Sequence, residues 1–72
     1  MDKTVAFQDF RVIWSAGYWR VLVDGLVRSA HDFRVDAEEA ALRLAQRTAM
    51  GGARAAILVQ RGLGMGAAFD VL

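Results

Sequence analysis

Apolar residues alternate with others from Phe10 to Asp24 on either side of Ser15-Ala16-Gly17, and a β-hairpin is the arrangement that accommodates them. With Ala16-Gly17 as a two-residue loop, Trp14 faces Trp19, Val12 faces Val21 and Phe10 faces Val23, so six large apolar side chains share one face. A slip of one residue sets Trp19 and Val21 against Ile13 and Arg11 and drives an arginine into that face. The register is therefore strongly specified.

Asp24-Gly25 is a second hairpin signal, followed by a third strand from Leu26 to Phe33. A two-residue turn there sets Arg28 beside Val21. A three-residue loop with Gly25 left-handed puts Val27, Ser29 and His31 on the Trp19 face, and this register is preferred because it keeps a charge off the core.

One helical pattern follows. Asp36, with Glu39 three residues on, resembles a capping box, and Glu38 and Glu39 both suit the positive end of a helix. Ala37, Ala40, Ala41, Leu44, Ala45 and Thr48 make the stripe that faces the core, while Arg43 sits four residues after Glu39 as a surface pair. A stripe this small lets the helix lie close to a sheet, the bulk between them coming from Phe10, Trp14 and Trp19. Gly51-Gly52 ends the helix.

Ala53 to Gln60 is then a strand apolar on both sides, with Ala55, Ile57 and Val59 on one face and Ala56 and Leu58 on the other. After Gly62-Leu63-Gly64-Met65-Gly66, the stretch from Ala67 to Leu72 makes a short last strand through Phe69 and Val71. The expected architecture is α+β: one domain spanning residues 1–72, with an antiparallel sheet of four to five strands and one helix on a single face, in the order β-β-β-α-β with a short final strand. A chain of 72 residues buries only about 60% of its unfolded surface and has no room for a second core.

One sheet face is then left without a cover. It carries Ile13, Tyr18, Leu22 and Leu58 beside Arg11 and Arg20, an apolar surface that calls for a partner or a second copy of the chain. Net charge narrows the choice of partner: nine Lys and Arg against eight Asp and Glu leave +1, far from the basic balance of a dedicated nucleic-acid binder. Arg11, Tyr18 and Arg20 nonetheless form a basic and aromatic surface of the type that binds single strands.

Catalytic and metal chemistry find little support. Ser29, His31 and Asp32 can be written as a triad, but on a strand Ser29 and His31 stand about 7 Å apart and Asp32 points the other way. His31 with Asp32 or Asp36 lacks the further ligands zinc needs, no two carboxylates are forced together, and no cofactor motif is present. The glycines from Gly62 to Gly66 lack the strand-to-helix context and the Lys-Ser/Thr of a phosphate loop and read as a hairpin tip, with Leu63 and Met65 as a loop contact for a partner. With no cysteine there is no disulfide or thiolate, and the polar Met1-Asp2-Lys3-Thr4 start fits neither a signal peptide nor a membrane span. A bacterial cytoplasmic setting is the simplest expectation.

Trp19-Arg20-Val21, Gly25, Arg28-Ser29, His31-Asp32, Glu39-Ala40 with Ala45, and Ile57-Leu58-Val59 together resemble a family of short bacterial domains of unknown function, with a W-x-V strand, an R-x-S strand and an E-A helix. The size, the order of strands before one alanine-rich helix (Ala37 to Met50) and the apolar strand from Ala53 to Gln60 also resemble small phage-encoded anti-CRISPR proteins of the type I-F kind. The second resemblance implies stoichiometric binding to the surface of a Cas protein in the bacterial host.

The functional expectation is a small non-enzymatic interaction protein that binds a surface of a larger protein or nucleoprotein complex, in the manner of a phage-type inhibitor, through Arg11, Ile13, Tyr18, Arg20 and Leu22. The alternatives are a nucleic-acid-binding module using the same face and a structural homodimeric domain. No cofactor, metal or membrane is expected to take part.

Overall fold

The computed structural model describes residues 6–64 and 66–72. Strands β1 (Phe7–Ser15), β2 (Tyr18–Val23) and β3 (Leu26–His31) precede helix α1 (Arg34–Met50), and β4 (Arg54–Gln60) and β5 (Phe69–Val71) follow it. The fold is α+β: a five-stranded sheet in the order β3-β2-β1-β4-β5 with α1 packed across one face. The β1–β2, β2–β3 and β4–β5 pairs are antiparallel, whereas β1 and β4 run parallel, so the sheet is mixed rather than purely antiparallel. The helix causes this. It carries the chain back along the sheet after β3, and β4 then starts from the same end as β1.

The first hairpin has the expected register, with Phe10, Val12 and Trp14 opposite Val23, Val21 and Trp19. Ala16 (φ 52°) and Gly17 (φ 84°) both take the left-handed conformation that a tight, right-twisting hairpin demands. The two tryptophan rings meet edge to face, 5.7 Å between centroids.

The second hairpin combines both expected registers. Asp24 and Gly25 form a two-residue loop, since Val23 pairs with Leu26, yet Val21 pairs with Ser29 and Trp19 with His31. A bulge between Val21 and Leu22 absorbs the extra residue. Ser29 and His31 therefore join the Trp19 face as expected, but Val27 pairs with Leu22 and stands on the opposite face.

The helix begins two residues before the expected Asp36. Phe33 is the N-cap without a side-chain cap hydrogen bond, and Asp36 sits in the first turn, where its charge complements the helix dipole. At the other end Gly52 (φ 90°) provides a left-handed stop, with the Ala53 N–H donating to Thr48 O and the Gly52 N–H to Ala49 O. Ala37, Ala41 and Ala45 are buried against a core of Phe10, Val12, Trp19, Val21, Val23, Ile57 and Val59. Gln60 is the buried polar residue among those described. Its Oε1 accepts from the Trp14 N–H and its Nε2 donates to Gly62 O, so the side chain continues the β1–β4 ladder where the backbone pairing stops.

Candidate functional site

The face of the sheet away from α1 is uncovered among the described residues. Cross-strand pairing places one row over all five strands: Val27 on β3, Leu22 on β2, Arg11 on β1, Leu58 on β4 and Val71 on β5. Ile13 pairs with Arg20 and Ser15 with Tyr18, so Arg11, Ile13, Tyr18, Arg20 and Leu22 all lie on this one face. Leu22, Ile13 and Leu58 are half-buried even in the middle of the sheet, and Val71 is 78% exposed. The face thus combines a central aliphatic row with exposed Tyr18, Val27 and Val71.

Both arginines on the face are held by neighbours. The Arg11 Nε donates to the Asp9 carboxylate at 3.1 Å, and the guanidinium lies 5.5 Å from the Phe69 ring centroid. The Arg20 Nε donates to Ser15 O at 2.9 Å, and its guanidinium lies 5.7 Å from the centroid of Tyr18. These contacts hold both long side chains against the sheet. At the β5 border, Arg61 Nη2 and Asp70 Oδ1 are 2.6 Å apart. That hydrogen bond, more than the charge alone, holds the Asp70 carboxyl below the usual carboxylate range and raises Arg61 further.

Leu63 is exposed beside a cavity of about 270 Å³ that Trp14, Gln60 and Phe69 also line. Met65, paired with it in the sequence analysis, lies outside the described residues.

Sequence reasoning missed Val27, Phe69 and Val71. The two-residue turn at Asp24-Gly25 sets Val27 beside Leu22 on the open face, and only the pairing of β5 with β4 shows that Phe69 and Val71 extend it.

On the helix side, the seam between β3 and α1 is a groove of about 320 Å³ lined by Arg28, Ser29, His31, Ala40, Arg43, Leu44 and Arg47. An adjoining cavity of about 210 Å³ shares Arg28, Leu44 and Arg47 and is also lined by Gln8 and Thr48, whose side chains hydrogen-bond each other. Here the expected separation of Ser29 and His31 is corrected: His31 Nε2 and Ser29 Oγ are 2.9 Å apart. The figure of about 7 Å is the spacing of alternate residues along a strand, and an imidazole is long enough to close it. No carboxylate lies within ion-pair distance of His31 among the described residues, so the pair lacks the third group that orients a catalytic base. The expected Glu39–Arg43 pair is likewise not among the ion pairs of the described residues; Arg34 and Glu38, at 2.8 Å, make the helix pair instead.

No group of three or more metal-ligating side chains converges among the described residues, and none of their helices is long and apolar enough to cross a membrane. Comparison with family models, curated proteins and solved structures gave no match to the chain.

Proposed function

We propose that this chain is a small non-enzymatic interaction protein that docks on a surface of a larger protein or nucleoprotein complex, with the uncovered sheet face as its contact. The supporting observation is the row Val27, Leu22, Arg11, Leu58 and Val71, which crosses every strand without a cover among the described residues. Aliphatic centre, exposed Tyr18 and pinned arginines are the composition of a protein-binding patch, where tyrosine and arginine contribute most of the affinity. Inhibition by surface occupation, in the manner of a phage-encoded inhibitor acting inside a bacterial cell, fits such a patch.

Nucleic-acid binding by the same face is the second reading, favoured by the two exposed rings, Tyr18 and Phe69, each beside an arginine. Protein is preferred because those guanidiniums already occupy one face of each ring, where a base would stack. The test is co-purification from bacterial lysate with tagged wild type and with a Leu22→Glu, Leu58→Glu variant, each with and without nuclease. A protein retained by the wild type after nuclease treatment and lost from the variant supports the proposal. Retention that disappears with nuclease moves the function to nucleic acid, and recovery of the bait alone, running as a dimer, makes the face a homodimer contact.

A further inference from the structure

The groove between β3 and α1 lies on the other side of the sheet and has a different chemistry. Arg28, Arg43 and Arg47 converge on it, and none of the three has a carboxylate within ion-pair distance among the described residues, whereas Arg11, Arg34 and Arg61 each have one. No aspartate or glutamate lines the groove or the cavity that adjoins it.

Arg47 alone has an ordinary explanation, because a cation in the last turn complements the helix dipole. Arg43 does not. It stands one turn earlier, about 6 Å along the axis, at a spacing where like charges repel on a helix surface. Arg28 is the extra residue of the β3 bulge, between Val27 and Ser29, and it lines a seam that already holds two guanidiniums. Ser29 and His31 add a hydroxyl and an imidazole at the same place, and Ala40 and Leu44 form an apolar wall.

We infer that this groove binds a phosphoryl oxyanion, with Arg28, Arg43 and Arg47 supplying paired N–H donors to its oxygens. Planar guanidinium forks match phosphate oxygens two at a time, and three of them without internal anions call for more than one negative charge. Two neighbouring phosphoryl groups satisfy that requirement, either as the diphosphate of a small free ligand or as successive phosphodiesters of a nucleic-acid strand.

The experiment is a calorimetric titration of the whole chain with sodium pyrophosphate and, separately, with a short single-stranded RNA, at constant ionic strength maintained with sodium chloride. Arginine Nε–Hε resonances are followed in parallel. Saturable binding is expected for the wild type, with shifts at Arg28, Arg43 and Arg47. Arg43→Gln and Arg28→Gln, both exposed and so expected to fold, should each weaken it about tenfold or more. Arg11→Gln, on the opposite sheet face, should leave it unchanged, which keeps this result separate from the docking proposal.

Pyrophosphate binding as tightly as RNA or more tightly assigns the site to a small phosphorylated ligand, and much tighter RNA binding lost in the same variants assigns it to a strand backbone; both support an oxyanion site. Absence of saturable binding to either probe overturns the inference. So does binding that Arg43→Gln leaves intact or that Arg11→Gln weakens equally.

Discussion

The two faces of the sheet are built from the same five strands and end in opposite states. Toward α1, Phe10, Val12 and Val21 are fully buried under a helix whose contact stripe is Ala37, Ala41 and Ala45. Away from it, Leu22, Ile13 and Leu58 occupy equally central positions and stay half-exposed. The contrast separates stability from the proposed docking role: the helix face supplies the apolar burial that holds so short a chain together, and the other face contributes little to it.

The largest expected effect follows directly. Phe10→Ala should cost about 3–5 kcal/mol in urea unfolding, and Ala41→Leu about 1–3 kcal/mol, because the alanine stripe leaves no space for added carbons. Leu22→Ala, at a matching position in the sheet but on the half-exposed open face, should cost about 1 kcal/mol or less. If Leu22→Ala proves as costly as Phe10→Ala, and the cost rises with protein concentration, the two faces are equally covered and a second copy is the cover.

Gln60 sharpens the comparison at the border between β4 and β5. Gln60→Leu preserves bulk but leaves the Trp14 N–H without its acceptor, with an expected loss of about 1–3 kcal/mol. A neutral result would mean that water reaches this end of the sheet.

The tight turn between β1 and β2 decides which residues reach which face. Ala16 carries a left-handed backbone that costs an ordinary side chain about 1–2 kcal/mol. Ala16→Asn should therefore raise stability by about 0.5–1 kcal/mol, and Gly17→Ala should lower it by about 1 kcal/mol. Stabilisation by the second change would require a different turn and a shifted register.

That register was legible because a slip exposes its cost at once, with Arg11 set among tryptophans. The alanine stripe and the glycine stop of α1 were legible for the same reason, each being a local pattern with one good solution. The parallel β1–β4 pair was not, since it depends on where a helix returns the chain. The β3 bulge was hidden too: two registers of similar merit competed, and the fold took the turn of one and the far end of the other. The arginine groove joins Arg28 on β3 to Arg43 and Arg47 on α1, which depends on how the helix packs on the edge strand, and so only the placement of the five sheet-face residues was readable, not the seam behind them.

The smallest effect concerns how far the open face extends. Strand β5 is three residues long and brings Phe69 and Val71 onto that face, and the Arg61–Asp70 pair ties it to the end of β4. Because Arg61 lowers the carboxyl's proton affinity in the folded chain, the tie contributes fully above the usual carboxylate range and is lost as pH falls through the lowered value. Both groups are exposed, so global stability should hardly change. The observable is local: amide protection over Phe69–Val71 should fall on acidification, while the core amides of Val12 and Val21 hold. Asp70→Asn should show reduced protection at neutral pH and little further loss in acid. If protection in that variant matches the wild type at neutral pH, the backbone ladder alone holds β5, and the row across the open face does not depend on charge.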